Sequence, residues 1–552
     1  MDGETGEARI VMFYSSRRQH ARTRRTAQLL PRAQSILRES ILREVSSVGR
    51  KLHARWYASG TAWCSGGVRL ASRHPVFTAM LAAAAVVRLT AVIGYVPALW
   101  FNDSFEYLGV ALRPQPYVVR PSGYSFFLMV LEPFHSFRLV VVVQHLLGLA
   151  VAVMIYALLR RYDMPGWLAA LATVPQLFDG YQIQVEHMVM AETLFTVLAV
   201  AAVVTLLWWR RPPTIAALAA GGLLAGATLT RTVGLPLAVV AGLWLLARRP
   251  GWRPVLAFCL TLLIPLGCYG VWFQTVHGQV GIVGSDGVFL YSRTTSFVDC
   301  ARTHPPADLA VLCPRERLDA RQPPSNYIWH TDTPLHGIPG AVFSPAKESL
   351  AGRFARRAVV TQPLDYAGIV LRDFSRTFGP RLTDYPNAGM VRPFVFHVPP
   401  DPVPDRTFIP GGSSPEDVRA YEHGDGAHRL HQPFATWLEV YQRRVAVPGP
   451  VLGLLLFGAV LGIAMAGRYR AQLRTPLSLI TAAGLTLLAI PPLTAGFDHR
   501  YVLPALTFLG AGAGLGFRIL ATGASRPKAA RSCFSRRQRP ESPGHYEVDP
   551  CR

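Results

Sequence analysis

The chain has 552 residues, half of them hydrophobic and only 16% charged, whereas soluble domains carry about 25% charged residues. This composition argues against a large soluble core. Lys and Arg outnumber Asp and Glu by 56 to 33, for a formal net charge of +23, which is typical of nucleic-acid binders and of membrane proteins with basic cytosolic loops. Because the basic residues alternate with long apolar runs, a soluble nucleic-acid binder is excluded.

The two ends of the chain are basic. Residues 1–74 are rich in Arg and Ser, which predicts a mostly disordered cytosolic extension able to contact anionic lipid. The alternative is an over-long gene start without function. Residues 523–552 predict a basic cytosolic tail. The first apolar segment begins near Val76, too far along the chain for a secretory signal peptide.

Ten apolar segments follow along the chain. A helix needs about 20 apolar residues to cross a bilayer, and Lys and Arg collect in cytosolic loops. Together these rules predict an α-helical polytopic membrane protein with about ten transmembrane helices and both termini in the cytosol. Seven spans form an N-terminal transmembrane region over 75–275, and three form a C-terminal region over 449–522. The predicted spans cover about 76–99, 139–159, 167–178, 187–209, 215–229, 233–246, 255–273, 451–466, 477–495 and 501–520.

Two stretches are predicted to lie on the outer side. The first outer loop covers 100–136 and contains the apolar stretch 123–134, which is too short to cross and predicts a re-entrant or juxtamembrane helix. Residues 276–448 contain no span-length apolar run and predict one mixed, soluble outer domain. Cys300 and Cys313 are the only cysteines in it, so an oxidising compartment favours a disulfide between them. The alternative is two isolated thiols.

Acidic residues gather in the first outer loop. Asp103, Glu106 and Tyr107 are spaced by three and four positions, which places them on one face of a helix. The alternative is a capping role, in which Asn102 or Asp103 starts a short helix with Glu106 in its first turn. Arg88, inside the first span, is costly in lipid and is expected to meet a partner within the bundle.

The other candidate residues also lie at the outer ends of predicted spans. Arg120 precedes a Pro-Ser-Gly turn, whose backbone N–H groups and adjacent guanidinium suit a phosphate, although an ordinary loop is the alternative. Each further residue could be an ordinary charge at a helix end, but acids and arginines from several loops share one membrane face. Their coincidence predicts a binding site. It includes Tyr124, Asp179, Glu186, His187, Glu192, Arg231, Arg500 and Tyr501.

In order and residue type, these motifs resemble the C-type glycosyltransferase superfamily, in the branch of protein O-mannosyltransferases and lipid A aminoarabinose transferases. The acidic loop reads Asp103-Ser104-Phe105-Glu106-Tyr107-Leu108. The family's Arg-Pro-Pro-Gly-Tyr-like motif is similar to Arg120-Pro121-Ser122-Gly123-Tyr124. Its Ser-Glu-x-Leu-Phe helix resembles the stretch from His187 to Phe195, with Ala191 where Ser is usual. A weaker likeness to its Arg-Tyr-x-Leu-Pro motif begins at Arg500. The resemblance covers about 76–273 and leaves out the outer domain.

The resemblance implies a hexosyl- or pentosyltransferase whose donor is a polyprenyl-phosphate sugar, with the isoprenoid tail in the bundle and the phosphate at the outer face. It assigns Asp103 as general base toward an acceptor hydroxyl, with Glu106 as second choice. An ordinary carboxylate is a weak base, so its pKa is expected to be raised. Arg120, Arg231 and Arg500 would stabilise the leaving phosphate.

The second outer loop has a less defined role in this picture. Asp179, Glu186 and His187 would orient the sugar or hold a divalent cation, but their spacing is not that of a recognised metal site, so no metal ligand is assigned. The acceptor is a glycan, a lipid or a protein. The Ala-, Arg- and Pro-rich composition suggests a high-GC bacterium, which makes the plasma membrane the expected location.

Two other functions compete with this interpretation. A transporter or flippase of a lipid-linked glycan predicts ionisable residues near the middle of several spans and an internal repeat. Apart from Arg88 and Glu192 the polar groups lie at outer ends, and the two halves of the chain do not resemble each other. A non-enzymatic cell-envelope scaffold predicts that Asp103→Asn leaves function intact, whereas an enzyme predicts near-complete loss.

Overall fold

The structure is a computed structural model that describes residues 72–380, 385, 387–397, 400 and 402–524. The predicted cytosolic extension up to residue 71 and the tail from residue 525 lie outside the described residues. The contacts described below all lie within the compact unit that begins at Ala79.

Long apolar runs make the first half of the chain helical. The fourth helix is an example: the Ser136 hydroxyl caps it by accepting the Leu139 N–H at 3.2 Å, and Arg160 and Arg161 stabilise its dipole from the last turn. The helices of this half are α1 (Pro75–Gly94), α2 (Asn102–Leu112), α3 (Gly123–Leu131), α4 (Phe137–Arg161), α5 (Gly166–Leu171), α6 (Val174–Phe178), α7 (Gly180–Glu186), α8 (Glu192–Leu207), α9 (Thr214–Thr230), α10 (Gly234–Ala247) and α11 (Trp252–His277).

The polar region after α11 consists mainly of short helices, because Pro and Gly interrupt its sequence often. Three long apolar helices follow it. The helices of this half are α12 (Asp286–Thr294), α13 (Cys300–Thr303), α14 (Ala307–Ala310), α15 (Asn326–Trp329), α16 (Pro345–Thr361), α17 (Pro363–Arg376), α18 (Ala388–Val391), α19 (Ser414–Glu422), α20 (Phe434–Arg444), α21 (Gly449–Tyr469), α22 (Ala471–Thr494) and α23 (Leu503–Ala524). A 3₁₀ turn, His499–Tyr501, lies just before α23.

The protein is a helical, multi-pass membrane protein. Within the described residues, six helices are long and apolar enough to cross a bilayer: α1, α4, α11, α21, α22 and the segment His499–Thr522 that contains most of α23. The predicted count of about ten spans is therefore not supported. Helices α8, α9 and α10 have 16, 17 and 14 residues, which corresponds to about 21 to 26 Å against roughly 30 Å of hydrocarbon.

The predicted span over 167–178 is also too short, and it is broken. It forms α5 and α6, and Pro175 in the first turn of α6 has no N–H with which to continue the preceding helix. The predicted re-entrant stretch 123–134 forms the nine-residue α3 followed by a 3₁₀ turn. Gly123 starts α3 where a Cβ would come within 2.5 Å of the Leu229 carbonyl oxygen, so only glycine permits this approach to the end of α9.

The polar region is tied to the first half of the chain at several points. Strand β1 (Tyr95–Val96) pairs antiparallel with β2 (Arg429–Leu430). The Arg113 guanidinium at the end of α2 donates to both carboxylate oxygens of Asp417 in α19, at 2.6 and 2.8 Å. This ion pair fixes the position of α2 relative to the polar region.

Part of the polar region also has a core of its own. Tyr291 of α12 and Phe354 of α16 are buried at its centre, with ring centroids 5.5 Å apart. Cys300 and Cys313 form a disulfide beside this core, which agrees with the pairing expected from the sequence. The described part of 276–448 combines helices with irregular stretches of similar total length, and β2 is its strand.

Candidate functional site

Asp103 in the first turn of α2 lies between two arginines that come from distant parts of the chain. Its Oδ1 accepts a hydrogen bond from Arg120 Nη2 at 2.7 Å, and its Oδ2 accepts one from Arg500 Nη1 at 2.6 Å. The carboxylate is only 5% exposed. Charge-assisted hydrogen bonds of this length are among the strongest in proteins, so Asp103 links the loop before α3 to the turn before α23.

The start of α2 explains why the Asp103 side chain is free for this role. Phe101 is the N-cap residue, and its N–H donates to the Ser104 hydroxyl at 3.0 Å. The alternative in which Asn102 or Asp103 caps the helix is therefore wrong. Glu106, one turn after Asp103, also forms an ion pair with Arg120 and accepts a hydrogen bond from the Tyr117 hydroxyl at 3.3 Å. Both carboxylates of this helix face thus converge on Arg120.

A further ion pair joins the start of α8 to the end of α9. Arg231, in the turn between α9 and α10, pairs with Glu192, the first residue of α8. In the predicted span 187–209 Glu192 lies about one turn from the start, but the helix begins at this residue, with Ala191 as its N-cap. The Arg231 guanidinium also lies 5.2 Å from the centre of the Tyr501 ring, a distance typical of a cation–π contact. Tyr501 therefore connects this pair to the group around Asp103.

Arg500 is enclosed by aromatic rings. Its guanidinium carbon lies 4.9, 5.1 and 5.9 Å from the ring centres of Phe101, Tyr501 and Phe394. Its Nε also lies 3.1 Å from Asp498 Oδ2. Phe394 belongs to the polar region and was not identified from the sequence, since a Phe in a loop-rich segment carries no signal of its contact with a residue 106 positions later.

Seven charged side chains are linked by these ion pairs, and we call them the Asp103 cluster. They are the carboxylates of Asp103, Glu106, Glu192 and Asp498 and the guanidinium groups of Arg120, Arg231 and Arg500. With all groups ionised, four negative charges face three positive ones. Each arginine therefore has an anionic partner within the protein itself.

The charges of the cluster act on the pKa of Asp103. Burial raises the pKa of this carboxyl, but the nearby positive charges of Arg120 and Arg500 outweigh burial and hold the pKa below its usual value. The expectation of a raised pKa is therefore wrong for Asp103 when it is paired with both arginines. Asp498 differs, because its burial outweighs the charge of Arg500 and raises its pKa.

Glu186 and His187 belong to a different network. Arg88 of α1 donates to both Glu186 oxygens, at 2.7 and 3.0 Å, which gives Arg88 the partner expected from its position in a span. His145 of α4 lies 3.1 Å from Glu186 Oε2 on one side and 3.1 Å from His187 Nδ1 on the other. These residues bind one another rather than the Asp103 cluster, and their arrangement is that of a buried packing network.

Asp179 and Tyr124 also serve the scaffold. Asp179 caps α7 by accepting the Gln182 N–H at 2.9 Å, and its second oxygen accepts the Val447 N–H at 2.7 Å. Burial raises its pKa to about 6. The Tyr124 hydroxyl donates to Gln144 Oε1 at 2.6 Å. Tyr124 meets the site only indirectly, through the Tyr107 ring 5.0 Å away.

Within the part of the chain that the structure describes, no group of three or more His, Cys, Asp or Glu residues is placed to hold a metal ion. The Asp103 cluster instead offers two kinds of groups, carboxylates that can accept a proton and guanidinium groups that can bind an anion.

No protein-family model matches the chain, and no curated protein sequence matches it. Among solved structures, the chain is similar to the archaeal oligosaccharyltransferase AglB from Archaeoglobus fulgidus, in complex with an inhibitory peptide and a dolichol-phosphate. The TM-score is 0.36 and the sequence identity 12%. The match covers 83% of this chain and 53% of the other, so the chain spans about half the length of that protein. A similarity at this level assigns no function.

Proposed function

We propose that the protein is a C-type membrane glycosyltransferase that moves a sugar from a polyprenyl-phosphate carrier to an acceptor hydroxyl at the outer face of the plasma membrane. The observation that supports it most is the position of Asp103, buried between Arg120 and Arg500. A buried carboxylate paired with two arginines at the end of a membrane helix bundle combines a proton acceptor with groups that bind a lipid phosphate.

The reaction uses these groups in one displacement. The oxygen of the acceptor hydroxyl forms a bond to the anomeric carbon of the sugar while the bond from that carbon to the phosphate oxygen breaks. The phosphate leaves with the electron pair, and its charge is stabilised by Arg120, Arg231 and Arg500. The hydroxyl proton passes to an oxygen of Asp103. Direct displacement inverts the anomeric carbon.

The orientation in the membrane is part of the proposal. Arg160 and Arg161 end α4, and Arg468 and Arg470 lie at the end of α21, which favours the cytosol for these helix ends. The Asp103 cluster lies at the opposite ends of the helices. Four shorter predicted spans lie between α4 and α11, and the cluster faces outward if all four cross the membrane, as in the predicted ten-span topology.

The test is a turnover assay with the purified protein in lipid nanodiscs. A panel of polyprenyl-phosphate sugars is incubated with glycan, lipid and peptide acceptors, and release of the carrier phosphate is measured. We expect release with at least one donor and almost none with Asp103→Ala. Equal release by the two proteins would remove Asp103 from the mechanism. Transport of a lipid-linked glycan across the bilayer without release would favour a flippase instead.

A further inference from the structure

The ion pairs of Asp103 pose a problem for its role as a general base. Both of its oxygens already accept hydrogen bonds from guanidinium groups, at 2.7 and 2.6 Å. A carboxylate held in two ion pairs is stabilised as an anion and takes up a proton poorly. At least one arginine has to move off Asp103 before that oxygen can accept a hydroxyl proton.

The same contacts restrict the arginines. Arg120 is shared between Asp103 and Glu106, and Arg500 between Asp103 and Asp498. A phosphate that approaches these guanidinium groups meets carboxylates that already neutralise them. Phosphate and Asp103 therefore compete for the same cations.

Accordingly, we propose that the donor's phosphate activates Asp103 by displacing it from Arg120 and Arg500, so that the base is blocked until the lipid-linked donor is bound. This inference rests on the proposed function. It makes the resting site self-inhibited, and it makes donor binding precede the deprotonation of the acceptor.

The surroundings of Arg500 permit this exchange. Its guanidinium is held by the rings of Phe101 and Tyr501 and by Asp498, and none of these contacts depends on Asp103. Arg500 can therefore turn its Nη1 from Asp103 to a phosphate oxygen without leaving its place. Arg120 keeps Glu106 as a partner in the same way.

The exchange also accounts for the proton and the electron pair that move during the reaction. When the phosphate takes the two arginines, one Asp103 oxygen becomes free to receive the proton of the acceptor hydroxyl as the new bond to the anomeric carbon forms. The departing lipid phosphate keeps the electron pair of the broken bond on its oxygen, and the guanidinium groups that it already contacts stabilise the resulting charge. After the product leaves and Asp103 loses its proton, the arginines return to Asp103.

The inference makes an unusual prediction about binding. If Asp103 competes with phosphate, its neutralisation strengthens donor binding although it abolishes turnover. We measure the affinity of farnesyl phosphate, a short polyprenyl phosphate that cannot turn over, for the full-length protein in nanodiscs by calorimetry. We expect Asp103→Asn to bind it roughly tenfold more tightly than the wild type, a change equivalent to about 1.4 kcal/mol.

Two variants complete the test. Glu106→Gln removes the other competitor for Arg120 and is expected to tighten binding about threefold, which keeps the inference testable if Asp103→Asn does not fold. Asp365→Asn is the matched control, because it also removes the carboxylate of an Arg pair, with Arg302 at 2.8 Å, but in the polar region away from the cluster. The affinity of Asp365→Asn for farnesyl phosphate is expected to equal that of the wild type.

The outcomes separate the inference from the proposed function. Farnesyl phosphate that binds the wild type and Asp103→Asn equally, or binds Asp103→Asn more weakly, overturns the competition and leaves the proposed function standing. Farnesyl phosphate that binds neither protein, or binds no better than farnesol, removes the lipid-phosphate site and with it the proposed function.

Discussion

Arg88 and Glu186 form a bidentate ion pair inside the helix bundle, with both side chains at most 2% exposed. The pair joins α1 to α7, and α1 carries the chain into the segment that precedes Asp103. Its energetic value lies in the cost of leaving one charge alone in a site without water.

Removal of one partner of this pair is expected to destabilise the protein strongly. Glu186→Gln leaves the Arg88 charge buried without its counter-ion, and we expect a loss of about 3 to 5 kcal/mol in the free energy of unfolding. Arg302→Ala breaks a pair whose side chains are 60% and 41% exposed and should cost less than about 1 kcal/mol. Thermal unfolding in nanodiscs compares the two. Similar melting temperatures for both variants would mean that the buried pair is not a stability determinant.

Arg500 is expected to be intolerant even of lysine. A lysine ammonium is a point charge without the planar fork that lets Arg500 contact Asp103, Asp498 and the Tyr501 ring together. We expect Arg500→Lys to lower turnover roughly 100-fold, as for the loss of one donor at a developing negative charge. Arg406→Lys, which changes an arginine 4.2 Å from the Phe408 ring, is the matched control and should retain activity. Full turnover by Arg500→Lys would exclude Arg500 from stabilising the phosphate.

Asp179 should make stability depend on pH. Its pKa is about 6 in the folded protein, against 3.8 ordinarily, because burial disfavours the charged form. The folded state therefore binds a proton more tightly than the unfolded state, and this contribution is complete below about pH 4 and lost as the pH rises through 6. The shift corresponds to about 3 kcal/mol. Melting temperatures of the wild type should fall over this range relative to those of Asp179→Asn. Melting temperatures of the wild type and Asp179→Asn that change in parallel with pH would contradict the raised pKa of Asp179.

The disulfide should stabilise the polar region. Cys300 and Cys313 are 13 positions apart, and closing a loop of this size is worth about 3 kcal/mol in the chain-entropy model. We expect the double variant Cys300→Ser and Cys313→Ser to be cleaved faster by protease between α12 and α17. Cys259→Ser in α11, which removes a free thiol, serves as control. Equal cleavage rates would show that the bond has little influence on this region.

Labelling in intact cells tests the proposed orientation. Val311 is 55% exposed in the polar region, and Gln472 is exposed at the start of α22, at the other end of the bundle. In a background without free cysteines, we expect Val311→Cys to react with a membrane-impermeant maleimide at once and Gln472→Cys only after permeabilisation. The reverse pattern would place the Asp103 cluster on the cytosolic side.

The sequence predicted the long helices of this fold well, and the short ones poorly. Runs such as that of α4 are long, apolar and bounded by a cap and by arginines, so local signals suffice. Over 167–209 the same apolar composition gives α5, α6, α7 and the late start of α8. Burial against other helices satisfies an apolar segment as well as lipid does, and composition alone does not distinguish the two environments.

The residues of the candidate site were also predicted with mixed success. Asp103, Arg120, Arg231 and Arg500 were selected because their charges are costly at a membrane surface, and the structure brings them together. Glu186 and His187 were selected by the same argument, but they pair with Arg88 and His145 of other helices. The cost of a buried charge indicates that it has a partner and does not identify the partner. Phe394, being neutral, gave no signal at all.

The contact between Asp103 and Arg500 joins residues 397 positions apart. Most of the chain is therefore synthesised before the two side chains can meet. Until then the arginines and acids of the earlier loops have no complete set of partners. A chain cut short before Arg500 would therefore lack the partner of one Asp103 oxygen.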